Sequence, residues 1–397
     1  MCRLHQERGD WLEIADVVVI GGGVIGTSVA YQLAKTKRKV MLIEKGEIGG
    51  QTSGSCDKAI FLQSKQPGLP IQMAKASMRL YENLEDELGM SIEFKKNGGM
   101  IVIESDTHMD AMAKFVKERK KAGMDVKLLD RNETLAWQPG LSSHIAGAAF
   151  SKEDAEVNPL RLSQAFAQAA KRYGAVVRTH TEVTDIICAD GKVTGVQTTD
   201  GKIAAETVVN AAGPFASQIA EMTGIGLTIM PRRGAILITE KIEPFIHGNI
   251  LCSQYIAAKH AASGDGDIPP YGIGLSLGQT ERGNLLIGAS REFKGYDKAV
   301  GPDVLSAIAS HATRIAPALN NVNIIRTMVG FRPFTGDGLP IIDKAKAVEG
   351  FITAAGHEGD GIALAPITGH LVISLLEDEE HYKDWLKRLR LERMHEV

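Results

Sequence analysis

The sequence predicts an α/β fold with a parallel sheet, and three observations support this prediction. First, a short apolar strand, a glycine-rich turn, an amphipathic helix and a second apolar strand follow one another between Asp16 and Lys45. Second, short apolar runs near residues 206–211 and 351–354 can extend the same sheet. Third, the intervening segments turn β-rich, which indicates a second, inserted domain.

The first strand is expected at Asp16–Ile20, because an unbroken apolar, β-branched run is typical of a parallel strand buried on both faces. The glycine turn then opens a helix that runs to about Lys37. A second apolar run, Val40–Ile43, follows that helix. Strand, helix and strand in this order predict one βαβ unit.

Three glycines and one acid give this unit a nucleotide-binding pattern. Gly21 permits the tight turn, Gly23 lets a pyrophosphate approach the backbone, and Gly26 lets helix and strand pack closely. The helix N-terminus offers N–H groups and a positive dipole end to phosphates. Glu44, 18 residues after Gly26, can accept hydrogen bonds from a ribose diol and would repel a 2′-phosphate. We therefore expect an ADP moiety here.

The remaining elements follow from apolar periodicity and turn residues. Helical patterns cover Met73–Leu88, Thr107–Ala122, Pro159–Tyr173, Asp303–Ile315 and Ile362–Leu376. Extended patterns begin at Ile92 and include Val126–Leu129, Ala175–His180, Val183–Ala189, Val193–Thr198, Glu206–Ala211, Gly226–Gly295 with a break at Ser263–Gly274, and Phe351–Ala354. Asp190-Gly191 predicts a hairpin turn.

These elements predict a discontinuous, Rossmann-like nucleotide domain with a second domain inserted into it. A βαβ half-unit needs further strands beside it, and the candidate strands lie far along the chain. We assign residues 14–90, 152–228 and 326–397 to the nucleotide domain, and residues 91–151 and 229–325 to a substrate-binding domain.

Length and composition agree with this division and exclude several classes of protein. A chain of 397 residues is long enough for two or three domains. It is 44% hydrophobic and 23% charged, with a net charge of −3. We therefore expect neither a nucleic-acid partner nor an anionic membrane surface, since no basic block is present.

The four cysteines are scattered and form no C-x-x-C pair; they are Cys2, Cys56, Cys188 and Cys252. This spacing argues against a disulfide framework, a zinc site or an iron–sulfur cluster in this chain, so no metal site is expected. No run of about 18 apolar residues occurs, so no transmembrane helix is expected. The first 15 residues are charged throughout and do not resemble a secretory signal, which favours a cytoplasmic protein.

The fingerprint alone does not separate NAD from FAD, but two other segments favour FAD. Thr207–Ala216 is a strand that ends in small residues, where the backbone can approach a bound cofactor. Gly356–Ile362 reads as a turn that opens a helix, and its N–H groups could face a flavin pyrimidine oxygen. That oxygen carries negative charge in the reduced flavin, so a helix N-terminus there stabilises reduction.

Three sequence segments resemble the D-amino-acid oxidase-type family of flavoproteins, which includes glycine oxidase, sarcosine oxidase and sarcosine dehydrogenases. They are CDKAIFLQSKQPG, GFRPFTGDGLPII and AAGHEGDGIALAPITG. The resemblance runs from Asp16 to about Leu376. It is nearest to the catalytic β subunits of heteromeric L-proline, opine and hydroxyproline dehydrogenases.

The resemblance implies a flavin domain, a substrate domain built on a large mixed β-sheet, and FAD held by a defined set of residues. Sarcosine oxidases link their flavin covalently through a cysteine at the position where this chain has Gly330, so non-covalent FAD is expected. The implied cofactor residues are Gly21, Gly23, Val24, Ile25, Gly26, Glu44, Lys45, Thr52, Ser53, Val183, Ala212, Gly213, Gly330, Gly359, Gly361 and Ile362.

The activity implied is oxidation of an amino acid or secondary amine of proline, hydroxyproline, sarcosine, glycine or opine type. A hydride would pass from the α-carbon to flavin N5 and leave an imine. Because this chain offers no cluster ligands, electrons would leave through partner subunits that carry FAD, FMN or a [2Fe–2S] centre.

Three alternatives remain open at this point. The protein could be an oxidase that produces hydrogen peroxide. It could oxidise a hydroxy acid or glycerol 3-phosphate, for which the Arg232-Arg233 pair would be the phosphate-binding candidate. It could also be a flavin-binding subunit that only assembles a complex.

Arg332 is the main catalytic candidate, because an amino-acid substrate needs a cation for its carboxylate and the arginine fork binds carboxylates bidentately. The equivalent arginine has this role in glycine oxidase-like proteins, although an interdomain salt bridge is the alternative. His357, in the flavin-facing turn, could bond the cofactor or substrate, or be a structural histidine.

The other candidates each have an ordinary structural alternative. Asp360 could attract a cationic amine but could equally cap a helix. Tyr255, expected on a strand, could gate the pocket or pack in the core. Lys259 and His260 are minor candidates, and Cys56 reads as a small buried thiol because no histidine is placed to activate it.

Overall fold

The computed structural model of this chain describes residues 11–260 and 270–395, and only the backbone of residues 11, 12, 257–260 and 395. The expectations for Cys2, for most of the N-terminal segment, for the side chains of Lys259 and His260 and for most of the break at 263–274 lie outside the described residues.

The described strands are β1 (Trp11–Ile14), β2 (Val17–Ile20), β3 (Val40–Ile43), β4 (Ala59–Ile60), β5 (Gly99–Ile103), β6 (Val126–Asp130), β7 (Gly147–Ser151), β8 (Ala155–Glu156), β9 (Val176–Arg178), β10 (Val183–Ala189), β11 (Lys192–Thr198), β12 (Gly201–Ala204), β13 (Thr207–Asn210), β14 (Met230–Lys241), β15 (Asn249–Cys252), β16 (Ser276–Gln279), β17 (Asn284–Gly288), β18 (Ile324–Phe334), β19 (Ile341–Lys344) and β20 (Phe351–Ala355). The helices are α1 (Val24–Lys35), α2 (Leu69–Tyr81), α3 (Leu84–Leu88), α4 (Met109–Lys121), α5 (Arg131–Trp137), α6 (Pro159–Arg172), α7 (Ala216–Glu221), α8 (Ser253–His260), α9 (Pro302–Ile315), α10 (Gly361–Glu377) and α11 (Lys383–Arg388).

A six-stranded sheet in the order β19-β20-β13-β2-β3-β9 forms the centre of the nucleotide region. Strands β20 to β9 run parallel, and β19 pairs antiparallel with β20. The two runs expected beside the βαβ unit are β13 and β20, so this part of the prediction is confirmed.

Strand β2 shows why this sheet needs an unbroken apolar run. Val17 and Val19 face a core that contains α1, α6 and α10. Val18 and Ile20 face a second core, which is shared with the small sheet β1-β12-β11-β10. Because both faces are covered, alternation of polar and apolar residues is absent.

Helix α10 is placed by close contacts with its neighbours. A Cβ at Gly369 would lie 2.7 Å from Gln32 Cγ on α1, so α1 and α10 cross without an intervening side chain. Pro366 has no N–H, which leaves the carbonyl of Ile362 free of its helical bond. The Tyr81 hydroxyl on α2 donates to that carbonyl instead.

The apolar character of α10 also bears on the membrane prediction. The segment Glu358–Glu377 is long and apolar enough to cross a membrane by length and composition alone, contrary to the expectation that none would be. However, 61% of its most apolar window is buried inside the protein, as in core helices. A cytoplasmic location stays a prediction.

An eight-stranded sheet in the order β18-β14-β17-β16-β15-β5-β7-β6 forms the second region. Strands β5 and β15 run parallel, whereas the other neighbouring strands run antiparallel. Helix α9 packs against this sheet and completes a third apolar core. The prediction of a large mixed sheet is therefore confirmed.

The predicted boundary at residue 326 is wrong, because it cuts through β18. This strand pairs with β14 from Ile324 opposite Thr239 to Phe334 opposite Met230, and so belongs to the eight-stranded sheet. The motif that follows Gly330 resembles a cofactor segment, which is why the sequence favours the nucleotide domain for it. A strand partner about 100 residues away leaves no local signal in the sequence.

Tyr255 lies on helix α8, so its assignment to a strand is also wrong. The run that begins at Ser253 contains Gln, Ala and Lys, which favour helix. Cys252 precedes the helix, and its Sγ accepts the N–H of Tyr255 at 3.2 Å, which satisfies one of the free donors of the first turn.

Candidate functional site

The glycine turn between β2 and α1 has the geometry that its sequence predicts. Gly21 has φ +110°, and a Cβ there would lie 2.5 Å from the carbonyl oxygen of Ala211. A Cβ at Gly26 would lie 1.9 Å from the carbonyl oxygen of Gly21. Both positions therefore require glycine, for the turn and for the contact of helix with strand.

Gly23 differs from these two glycines because its missing side chain leaves space rather than relieving a clash with the backbone. A Cβ there would meet only Ser53 Oγ, at 3.3 Å, and the residue lines a large cavity. Gly23 is the N-cap residue of α1, and no capping hydrogen bond comes from its own position because it has no side chain. The N–H of Val24 donates to Ser53 Oγ at 3.0 Å. This helix N-terminus fits a pyrophosphate group.

Glu44 stands at the end of β3 with a fixed carboxylate. Its Oε2 accepts the N–H of Gly22 at 2.6 Å, and its Oε1 accepts the N–H of Gly46 at 2.8 Å. The side chain also lines the large cavity. Each carboxylate oxygen has a second lone pair, so the orientation suits a ribose diol.

The larger cavity encloses about 1090 Å³, part of it open to solvent. The parts of the chain that line this cavity include the glycine turn, the start of β10, and the ends of β13 and β20. The predicted cofactor residues that line it are Gly21, Gly23, Val24, Ile25, Glu44, Lys45, Thr52, Ser53, Val183, Ala212, Gly213 and Gly361.

A second cavity, of about 640 Å³, adjoins the first. The two have five lining residues in common: Val24, Thr52, Ser53, Glu358 and Gly361. The smaller cavity contains the remaining predicted cofactor residues Gly330, Gly359 and Ile362 together with Arg332 and Tyr255. Gly26 lines neither cavity, since it packs against the turn.

Arg332 enters the smaller cavity from β18 with its guanidinium partly fixed. Its Nη1 donates to the carbonyl oxygen of Ser290 at 3.1 Å. On the neighbouring strand, a Cβ at Gly234 would lie 2.3 Å from that same Nη1. Gly234 therefore makes room for the guanidinium. Sequence reasoning missed it, although glycine inside a strand is a known sign of close approach.

His357 lies against the larger cavity, buried and paired with a hydroxyl. Its Nε2 lies 3.0 Å from Thr368 Oγ1. Burial lowers the pKa of His357 to about 3, so the imidazole is neutral at neutral pH. A neutral ring in this place can exchange hydrogen bonds but adds no charge.

Asp360 lines neither of these two cavities. Its carboxylate pairs with Lys65, with 2.7 Å between Oδ1 and Nζ, and the Lys65 side chain is buried. It occupies the N-cap position of α10 without a side-chain capping bond. The structure therefore gives it an ion pair that ties the turn to the loop after β4.

Two further side chains of the smaller cavity are held in their neutral forms. Burial raises the pKa of the Tyr255 hydroxyl and of the Cys56 thiol. Cys56 Sγ donates to the carbonyl oxygen of Ser53 at 3.2 Å. This agrees with the expectation of a small buried thiol rather than a nucleophile.

Sequence reasoning also missed two acids that line the smaller cavity. Glu358 has φ +47° and forms a buried ion pair with Arg232. Asp57 accepts a hydrogen bond from the hydroxyl of Ser276 at 2.6 Å. Both lie inside segments that carry the family resemblance, Cys56–Gly68 and the turn at Gly356–Ile362, but no local pattern indicates where their carboxylates point.

Away from this site, Glu104, Cys252 and His311 come together, and their potential ligand atoms lie within 4.8 Å of one another. No metal site was expected from the sequence. Glu104 already contacts two basic side chains: His311 Nε2 at 3.0 Å and Arg314, which donates two hydrogen bonds to Oε2. The Glu104 carboxylate is therefore already engaged by Arg314 and His311.

Comparison with known proteins gives consistent matches. The profile of the family described as DAO, FAD dependent oxidoreductase, matches residues 16–375. The chain is 30% identical over 394 residues to the glycine oxidase of Bacillus subtilis (strain 168), covering 96% of this chain and 98% of that protein. It is 30% identical over 406 residues to hydrogen cyanide synthase subunit HcnC of Pseudomonas protegens, covering 92% and 93%. It is 27% identical over 380 residues to an opine oxidase subunit of Agrobacterium tumefaciens (strain Ach5), covering 92% and 95%.

Two solved structures are similar over nearly the whole chain. The glycine oxidase of Geobacillus kaustophilus superposes with a TM-score of 0.86 at 28% identity, covering 96% of this chain and 98% of that one. The L-proline dehydrogenase of P. horikoshii superposes with a TM-score of 0.85 at 28% identity and the same coverage.

Proposed function

This chain belongs to the DAO family of FAD-dependent oxidoreductases, and we propose that it oxidises an amino acid whose carboxylate is bound by Arg332, at the carbon next to nitrogen. The observation that carries this proposal is the position of Arg332 in the smaller cavity, which adjoins the cavity lined by most of the predicted cofactor residues. Bound FAD supplies a two-electron acceptor for a hydride.

Arg332 orients the substrate through its carboxylate. The contact with the carbonyl oxygen of Ser290 fixes the guanidinium before the substrate arrives, so less rotational entropy is lost on binding. A planar fork binds both carboxylate oxygens and thereby restricts the direction of the α-carbon. Tyr255 and Asp57 also line this cavity, and in this proposal they lie beside the substrate amine.

Electrons then leave the chain through a partner subunit. Two similar proteins, HcnC and the opine oxidase chain, are named as subunits of larger enzymes. In the described part of the chain the three cysteines, Cys56, Cys188 and Cys252, are free. A further redox centre would therefore be carried by the partner.

Matched pairs of substrates test the role of the carboxylate. Proline is compared with pyrrolidine, and sarcosine with dimethylamine, by anaerobic bleaching of the flavin in the holoenzyme. The amino acid of an active pair should bind at least about 100-fold more tightly, because two charge-assisted hydrogen bonds are lost with the carboxylate. Equal reduction by both members contradicts the proposal.

A wider panel of glycine, hydroxyproline, D-amino acids and opines then identifies the amine. If no amine bleaches the flavin while dithionite does, the chain is an assembly subunit rather than a catalyst.

An oxidase is the second candidate, favoured by 30% identity to a glycine oxidase over 96% of this chain. It predicts stoichiometric hydrogen peroxide from substrate in air, without any partner. A phosphate-bearing substrate is disfavoured, because Arg232 and Arg233 already pair with the buried carboxylates of Glu358 and Glu292.

A further inference from the structure

The smaller cavity is lined by two acids, Asp57 and Glu358, and their surroundings differ. Glu358 is paired with the buried guanidinium of Arg232. Asp57 lies just before β4, and in the described structure its carboxylate accepts hydrogen bonds from neutral donors. The hydroxyl of Ser276 donates to Oδ2 at 2.6 Å, and the N–H of Ala59 donates to Oδ1 at 3.3 Å. No cation of the described residues pairs with this carboxylate.

These two hydrogen bonds fix the Asp57 carboxylate without using all of its acceptor positions. Ser276 is buried on β16, so the eight-stranded sheet determines where Oδ2 lies. A carboxylate offers about four lone-pair positions, and Asp57 is half-buried at the cavity wall. The neighbouring cation Lys58 is engaged by the carboxylate of Glu156 at 2.8 Å. Asp57 therefore remains able to accept hydrogen bonds from a cationic ligand.

Asp57 and Arg332 act on the same neighbouring side chains. Burial is the main cause of the raised pKa values of Tyr255 and Cys56, which also line the cavity. At both groups the Asp57 charge raises the pKa further and the Arg332 charge lowers it. Arg291 contacts the Tyr255 ring but does not line the cavity. Asp57 and Arg332 thus lie near the same part of the cavity wall.

The charged side chains that line the cavity include one of each sign without an ionic partner among the described residues. Glu358 is neutralised by Arg232. The described hydrogen bond of Arg332 goes to the uncharged carbonyl oxygen of Ser290, and those of Asp57 come from uncharged donors. An amino acid at neutral pH carries the complementary pair, a carboxylate and an ammonium on neighbouring atoms.

We propose that Asp57 binds the protonated amine of the substrate, so that Arg332 and Asp57 together recognise an amino acid as a zwitterion. The inference rests on the proposed function, in which Arg332 binds the carboxylate. An ammonium has no lone pair to stabilise the cation that forms when a hydride leaves the neighbouring carbon, so the bound amine must first release a proton to solvent. Asp57 opposes this release, because a nearby negative charge favours the ammonium. Asp57 therefore increases affinity, selects amino acids over hydroxy acids, and raises the pH at which the bound amine becomes reactive.

Asp57→Asn in the FAD-loaded full chain separates amine binding from carboxylate binding. Proline is compared with cyclopentanecarboxylate and sarcosine with butyrate, because in each pair a methylene replaces the nitrogen. Anaerobic flavin reduction gives the affinity for the amino acid, and the shift of the bound flavin spectrum gives that for its isostere. The variant should bind the amino acid about 10- to 100-fold more weakly and the isostere no more weakly than the wild type. Equal losses for both members overturn the inference.

The pH dependence of flavin reduction provides a readout that a structural role of Asp57 would not change. Reduction should become faster as the bound amine loses its proton, and Asp57→Asn should move the midpoint of this rise about one pH unit lower, or more. Asp57→Glu keeps the charge and should stay close to the wild-type midpoint. Asp110→Asn, at an exposed position on α4, should change neither midpoint nor affinity. An unmoved midpoint in Asp57→Asn contradicts the inference.

Arg332→Ala tests the inference without any change at Asp57. With the guanidinium removed, the remaining carboxylate should make the cavity a cation site. Pyrrolidine, which is protonated at neutral pH, should then bind at least about 10-fold more tightly than to the wild type, as read from the flavin spectrum. If pyrrolidine binding does not improve, the inference fails even where Asp57→Asn does not fold. Failure of the proposed function is a separate result, in which no amino acid reduces the flavin of the wild-type protein.

Discussion

The two adjoining cavities share a wall but are built in different ways. The larger one includes two segments that short sequence patterns indicate, the turn at Gly21–Gly26 and the strand end at Ala211–Gly213. The smaller one is formed by side chains from distant positions, such as Asp57, Tyr255 and Arg332. Phosphate recognition by backbone N–H groups is encoded in local spacing, whereas carboxylate recognition depends on which strands become neighbours.

The largest expected effect tests the larger cavity, whose phosphate recognition is encoded in local sequence spacing. Gly23→Val should weaken FAD binding by at least about 100-fold, because the new side chain occupies the space left open at the helix N-terminus. The purified variant should be colourless, with the circular dichroism of a folded protein. Gly226→Val is the control, since a Cβ at Gly226 meets nothing within 4 Å. A yellow Gly23→Val protein would contradict the claim that the helix N-terminus at Gly23 binds the cofactor.

The second prediction addresses the smaller cavity, whose carboxylate recognition depends on contacts between distant residues. Arg332→Ala should raise the apparent Kd of amino-acid substrates by roughly 100-fold, through loss of charge-assisted hydrogen bonds. FAD content should stay unchanged, because Arg332 lines only the smaller cavity. Stopped-flow flavin reduction measures the first quantity and absorbance the second. Arg326→Ala on the same strand is the control; if it has an equal effect, Arg332 has no special place in the site.

The third prediction uses the buried imidazole on the wall of the larger cavity. In the unfolded chain His357 titrates near its ordinary pKa of 6.5, whereas burial lowers the folded value to about 3. Between these values the unfolded state binds more protons, so this contribution to stability is full above pH 6.5 and falls as pH decreases. At pH 5 the loss is roughly 2 kcal/mol relative to pH 7.5.

Urea denaturation of the wild-type protein and of His357→Gln at the two pH values measures this contribution as a difference. Burial raises the pKa of Asp154 to about 7, which gives stability of the opposite pH dependence, but it cancels between the two proteins. Identical pH dependence in both would show that the imidazole titrates freely in the folded state.

The smallest expected effect concerns the helix that faces both cavities. Tyr81→Phe should lower the free energy of unfolding by about 1 kcal/mol, because the carbonyl of Ile362 loses its donor. Pro366→Ala restores a backbone N–H that can bond that carbonyl. In the Pro366→Ala background, Tyr81→Phe should therefore cost less, and thermal melts of the four proteins give the coupling energy. Additive effects would show that the proline and the tyrosine act independently.

The nucleotide half of the fold could be predicted from the sequence because its determinants are local. Val40–Ile43 has the predicted bounds, and α1 begins at the glycine turn. The hairpin turn at Asp190-Gly191 is also present, with positive φ at both residues. Each of these features depends on a few consecutive residues whose conformational preferences agree.

The rest depended on contacts between distant residues. Gly234 has a role only because β14 lies beside β18. Tyr255 was assigned to a strand because its neighbours in sequence are extended, although Cys252 and the residues that follow it start a helix. The strand that will lie beside a given strand cannot be predicted from one segment of the sequence.

The close crossing of α1 and α10 at Gly369 determines how α10 is positioned in this molecule. Gly369 lies eight residues, about 12 Å, along α10 from Gly361, and Gly361 belongs to the wall between the two cavities. A methyl group at Gly369 would lie 2.7 Å from Gln32 Cγ and 3.0 Å from the carbonyl oxygen of Ser28, so α1 and α10 would have to move apart to accept it. Residues that contact no ligand thus determine the position of the N-terminal end of α10. Substitutions at such residues can change the activity without changing any group that contacts the ligands.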